Sequence, residues 1–257
     1  MAKGIGEELI EKTKYKYLRQ ADQDKGIPQP PLELQYDESK PTIELPPPDK
    51  IDLGGIDLRK AIENRHSVRS YSDSPLTLEE LSFLLWCTQG VRRVITVRGE
   101  SSRGNRTIRT VPSGGARHPF ETYLVVNRVL GIRPGLYRFL AIAHRLVEID
   151  HDPSISIKVA KYSLDQMFIA RSAVIFIWVA VPYRTVWRYG ERAYRYIPLD
   201  AGHICQNLYL SVEAIGAGTC AVGAFDDNKL NRLLGLDGKN QFVLYLAPVG
   251  KKKSGGP

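Results

Sequence analysis

Apolar positions along the chain keep a helical spacing in some stretches and a strand spacing in others, and the switches mark the elements. Ile204, Leu208, Val212 and Ile215 recur at steps of four, four and three, the stripe of a long helix over "LDAGHICQNLYLSVEAIGAG", with Gly216 as its stop. "TLEELSFLLWCTQ" predicts another helix: Thr77 can cap it, Glu80 completes a capping box and Gly90 can end it. "SAVIFIWVAV" is apolar throughout and reads as a strand buried on both faces. "ETYLVVNRV", "GLYRFL", "RLVEID", "TCAVG" and "QFVLYLAPV" are further strands.

Shorter signals fill the gaps. Residues 5–19 predict a short helix, "IDLRKAIENR" a helix capped by Asp57, and "SIKVAKYSLDQMFI", the segment Tyr183 to Tyr196 and "DDNKLNRLLG" further helices. "SVRSY" alternates like a strand, and the arginine-rich "RRVITVRGESSRGNRTIRT" reads as a loop or loose hairpin. Seven prolines between Gly26 and Lys50 predict an extended arm and not a domain, lying on its own core or on a partner. The chain therefore divides into residues 1–50, a helix and arm, and residues 51–257, a folded domain. Strands and helices mix without regular βαβ repeats, which predicts an α+β fold: a sheet covered by helices.

Composition narrows the class. With 43% hydrophobic residues the chain can bury a sizeable core. An excess of 36 Lys+Arg over 28 Asp+Glu, net +8, favours anionic partners. Cys87, Cys205 and Cys220 show no metal or disulfide spacing and fit a reducing cytoplasm. The N-terminus is too charged for a signal peptide, and the longest apolar run is too short to span a bilayer. The sequence thus predicts a cytoplasmic protein that does not enter membranes. No metal site is expected: "DHD" at 150–152 has no second ligand cluster.

Four stretches carry candidate chemistry. On a strand, Arg65, Ser67 and Arg69 point to one side within ~13 Å, two planar cationic forks and a hydroxyl suited to phosphate or a flat heterocycle. An exposed polar edge strand would look the same. Pro112, Ser113, Gly114 and Gly115 form a side-chain-poor turn that lets a ligand approach the backbone. Gly223 and Ala224 follow a strand and would leave N–H groups free, and Lys251 and Lys253 follow the last strand. Singly, each is also an ordinary turn or tail.

In this order, with the "AGHICQNLYLSVEAIGAGT" helix between them, the stretches resemble the FMN-dependent nitroreductase family. "PSGGARHPFE", "YRYIPLDAGHICQNLYL" and the proline-rich arm are similar to its SagB-type branch, which includes azoline dehydrogenases of thiazole- and oxazole-modified peptides. The likeness spans about residues 13–253. It implies a nitroreductase-like fold: a central, mostly antiparallel sheet flanked by helices, in an intertwined homodimer with FMN at the interface. It also implies that Arg65, His66, Ser67 and Arg69 hold FMN, that Pro112, Ser113, Gly114 and Gly115 line it from the other subunit, that Gly223 and Ala224 offer N–H groups near N5 and O4, and that Lys251 and Lys253 neutralise the phosphate. The implied activity is hydride transfer at N5, with NAD(P)H as possible donor and a nitroaromatic or quinone-like small molecule as acceptor.

Two positions depart from the family pattern. Ala116, followed by Arg117, stands where many members carry an asparagine. Arg188-Tyr189 stands where azoline dehydrogenases carry Lys-Tyr, and arginine is a poor proton acceptor. Arg188 and Tyr189 are the candidate catalytic pair; azoline dehydrogenation of a peptide-derived substrate is the alternative activity. A reading of another class rests on Arg184, Arg188 and Arg192, every fourth residue beside Tyr183, Trp187 and Tyr194: a basic, aromatic surface for single-stranded nucleic acid. It leaves the glycine turns unexplained, so a lid over the flavin is preferred for this segment.

Overall fold

A strand with no polar position has no face to give to water, and Val174–Ala180 lies inside a seven-stranded sheet. The computed structural model describes residues 4–53, 55–97 and 104–253. Its strands are β1 (Thr42–Glu44), β2 (Val91–Ile95), β3 (Arg106–Arg109), β4 (Phe120–Val126), β5 (Gly135–Leu140), β6 (Arg145–Asp150), β7 (Val174–Ala180), β8 (Ala217–Thr219) and β9 (Phe242–Lys251). Its α-helices are α1 (Ile5–Lys12), α2 (Leu58–Asn64), α3 (Leu78–Gln89), α4 (Ile155–Tyr162), α5 (Tyr183–Tyr189), α6 (Ala193–Ala214) and α7 (Asp227–Leu233). The large sheet runs β1-β6-β5-β4-β7-β9-β8, every neighbouring pair antiparallel. The expected loose hairpin is the ordered pair β2-β3; its residues 98–103 lie outside the described ones, as do 254–257 of the C-terminal tail.

Alternation along β7 builds two cores. Phe176, Trp178 and Ala180 pack with Leu81 and Leu85 of α3 and Ile204 and Leu208 of α6. Ile175, Ile177 and Val179 pack with Ile155 and Val159 of α4 and Leu230 of α7. The result is the α+β architecture, a sheet between two helical layers. Caps form where local sequence placed them: Asp57 accepts from Lys60 N at 3.1 Å, and Thr77 and Glu80 close a reciprocal box on α3.

Several elements differ from expectation. The "SIKVAKYSLDQMFI" helix ends at Tyr162, with Leu164 and Asp165 at positive φ, and β8 covers Ala217–Thr219 in place of the expected "TCAVG". Residues 5–19 form α1 and then a separate 3₁₀ turn at Tyr15–Tyr17. The expected "SVRSY" strand is extended chain with one parallel bridge, Ser67 to Thr219. The expected helix over 183–196 breaks at Gly190 (φ 53°), and α6 already begins at Ala193 and runs through Pro198. Burial of Ala193, Ile197 and Ala201 outweighs the hydrogen bond that proline cannot make.

The proline-rich segment lies along its own chain. Arg184 Nε donates to Pro31 O at 2.9 Å, Trp187 Nε1 to Ile27 O at 2.8 Å, and Arg138 Nη2 to Leu34 O at 3.0 Å. Its far end supplies β1, which pairs with β6. These grips reach main-chain carbonyls of residues 27–36, a stretch with no backbone hydrogen bond between its own residues. Among the described residues no helix is long and apolar enough to cross a membrane.

Candidate active site

The Arg65–Arg69 segment is pinned against the end of the sheet. Val68 N donates to Thr219 O at 2.9 Å, and Tyr71 Oη donates to Val68 O at 2.8 Å. The approach is so close that a Cβ on Gly218 would stand 2.5 Å from Val68, so β8 needs glycine there. What remains open is a cleft of about 340 Å³ whose polar lining is His66, Ser67, Arg69, Ser70, Lys252 and Lys253. His66 Nδ1 donates to Asn64 O at 2.9 Å.

Of the two lysines expected here, Lys253 lines the cleft and Lys251 does not. Lys251 Nζ bonds Glu80 and the Ile215 carbonyl, so it ties β9 to α3 and α6 instead of lining the cleft. Lys252 lines it while paired at 2.8 Å to Glu213; Lys253 is exposed beside it. The last strand reaches Lys251, further than its apolar pattern foretold, and this turns the lysines.

Tyr209 of α6, absent from the sequence candidates, joins the cationic segment to the stretch after β8. Its Oη lies 3.0 Å from Ser67 Oγ and accepts from Ala221 N at 2.9 Å, and the Arg65 guanidinium stands 5.3 Å from its ring centre. Gly223 and Ala224 follow, both exposed, and their N–H groups carry no hydrogen bond among the described residues.

The P-S-G-G turn sits elsewhere. Ser113 Oγ donates to Asp200 Oδ2 at 2.5 Å and accepts from His118 N at 2.9 Å, while Gly114 N donates to Asp200 Oδ1 at 3.1 Å. Asp200 is buried, and burial pushes its carboxyl above the usual range against these donors. Gly115 has φ +61°, and a Cβ there would stand 2.4 Å from Tyr189 Oη and 3.0 Å from Arg188. Arg188 and Tyr189 thus lie against this turn. Arg117 braces it, with Nε on Gly115 O at 3.0 Å and its guanidinium 5.6 Å from the Trp187 ring centre; burial lowers its pKa to about 10.

Within one chain the structure therefore gathers two groups and keeps them apart. Nine residues separate Asp200 from Tyr209, which on a helix is ~13 Å of rise and half a turn of rotation. The cationic cleft and the glycine turn occupy different ends and opposite sides of α6.

Residues 62–251 match the Nitroreductase family. The chain belongs to the nitroreductase family. A Methanocaldococcus jannaschii protein that carries a nitroreductase name is 38% identical over 210 residues, 82% of this chain and 96% of that one. The trifolitoxin-processing protein TfxB of Rhizobium leguminosarum bv. trifolii is 33% identical over 139 residues, 52% of this chain and 37% of TfxB. A solved Ralstonia eutropha structure named as a nitroreductase superposes with a TM-score of 0.67 at 25% identity, covering 85% of this chain and 93% of that one.

In this nitroreductase-family chain the arginine stripe is not an open surface. Arg184 is buried and ion-paired with buried Glu121; Arg188 Nη1 reaches Gln23 Oε1 at 3.0 Å; Arg192 Nη1 reaches Thr13 O at 2.9 Å. Trp187 is buried as well. Arg184, Trp187, Arg188, Arg192 and Tyr183 hold the N-terminal segment instead, and Tyr194 is exposed. Asp200 had a visible signal: it continues the Ile204, Leu208, Val212 row of α6 one step back, a carboxylate on an apolar stripe.

Proposed function

We propose that this chain is a homodimeric, FMN-dependent oxidoreductase of the cytoplasm. The observation that carries the reading is the division across α6: a cationic cleft on one side and a glycine turn with Arg188 and Tyr189 on the other, each half a site. A second copy would supply the missing half to each.

The residues present fit FMN. Cations gathered at one small cleft suit phosphate, and the unbonded N–H groups of Gly223 and Ala224 are donors left for a ligand. Bound there, FMN would supply hydride exchange at its N5 atom. Arg65, His66, Ser67, Arg69, Lys252 and Lys253 would hold the phosphate and ribityl end, and Gly223 and Ala224 the ring edge. Pro112, Ser113, Gly114 and Gly115 of the second copy would line the ring and exclude water from one side. Lys251 holds the strand end through Glu80 and leaves phosphate binding to its two neighbours.

For the reaction we favour NAD(P)H-driven reduction of nitroaromatic or quinone-like compounds. Azoline dehydrogenation is the second reading, favoured by the similarity to TfxB and by Tyr189, whose hydroxyl lies at the glycine turn as a proton donor or acceptor. The purified protein should be a yellow dimer whose flavin absorbance bleaches on reduction. Colourless protein that takes up no added FMN would reject the assignment. Turnover of NAD(P)H with a quinone, against loss of two hydrogens from a thiazoline peptide, separates the two reactions.

A further inference from the structure

We propose that Tyr209 is a positioning residue that polarises the Ser67 hydroxyl toward a phosphate in the cationic cleft; this rests on the FMN reading. A phenol has one proton and two lone pairs. The Ala221 N–H can only donate, and at 2.9 Å it occupies one lone pair of Tyr209 Oη. The second contact, 3.0 Å to Ser67 Oγ, leaves open which hydroxyl donates. The cleft decides it. Arg69, Lys252 and Lys253 line the space beside Ser67, and the ligand that suits them, a phosphate dianion, has only acceptor oxygens. Ser67 must then give its proton to the ligand, so Tyr209 must give its own to Ser67.

The outcome is one directed chain: Ala221 N–H to Tyr209, Tyr209 O–H to Ser67, Ser67 O–H to phosphate. Donors in series polarise one another, by ~10–30% per bond. Tyr209 is buried on α6, so the chain is anchored on a rigid element, and the Arg65 guanidinium over its ring adds positive potential.

The test compares FMN with riboflavin, which has the same ring and no phosphate. Affinities of the full-length protein, freed of flavin, are measured by fluorescence quenching for wild type, Tyr209→Phe, Ser67→Ala, Ser67→Thr and the Tyr209→Phe/Ser67→Ala double variant. FMN affinity should fall about 5- to 10-fold in Tyr209→Phe, the worth of one neutral hydrogen bond, with riboflavin affinity unchanged. Ser67→Ala should lose at least as much and Ser67→Thr should recover it. The double variant should be no worse than Ser67→Ala alone. Equal losses for both flavins, additive losses, or unchanged FMN affinity in Tyr209→Phe overturn the relay. Should Tyr209→Phe not fold, Ser67→Ala without an FMN-selective loss does the same, because Tyr209 then has nothing to polarise. Wild type that binds neither flavin overturns the FMN reading itself, and the relay with it.

Discussion

Ser113 Oγ donates its proton to Asp200 Oδ2 at 2.5 Å, and through that contact the glycine turn hangs from α6. Both carboxylate oxygens are engaged, one by the hydroxyl and one by Gly114 N–H. In Asp200→Asn the amide can present only one acceptor, and its NH₂ faces another donor. We expect ~1–3 kcal/mol lower stability by urea denaturation, the cost of one buried donor left unpaired, and poorer flavin retention on gel filtration. Unchanged stability would show that the turn is held by something else.

Gly115→Ala forces a Cβ onto Tyr189 Oη from a backbone that disfavours L residues. Local strain of ~1–2 kcal/mol is expected. The larger effect should be on turnover, because Tyr189 must move; equal kcat with wild type would remove Tyr189 from the reaction.

Glu121 and Arg184 form a buried pair that also binds the arm, through Leu34 N to Glu121 at 2.9 Å and Arg184 to Pro31 O. Glu121→Ala leaves a buried guanidinium uncompensated and should cost ~3–5 kcal/mol. The same variant should open residues 27–36 to limited proteolysis under conditions where wild type resists.

His118 is buried, and that burial, with Arg109, Arg117 and Arg184 nearby, holds its pKa well below the usual 6.5. The folded state therefore binds this proton more weakly than the unfolded state. Its stabilising contribution is complete above about pH 6.5 and is lost as pH falls toward the depressed folded value, by up to ~1.4 kcal/mol per pH unit. Denaturation at pH 7 and pH 5 should show this slope in wild type and a shallower one in His118→Gln.

Much of the fold was legible because its signals are short in sequence. The Thr77–Glu80 box and the Asp57 cap each span three positions, and the unbroken apolar run of β7 declares burial without reference to anything distant. The site was legible in its parts and not in its joints. Ser113 meets a residue 87 positions away and Ser67 one 142 away, and no local pattern specifies such pairings. The arginines at 184, 188 and 192 share a spacing that says they line up and nothing about what covers them. Only the path of residues 13–31 decides what these charges meet.

The span of α6 between Asp200 and Tyr209 acts as a gauge block. Inserting one residue within it would swing one grip by ~100° relative to the other and misalign both halves at once. Side chains on its solvent side are free to vary; the number of residues is not. Homologues with this arrangement should therefore tolerate many substitutions across that stretch and no change of length.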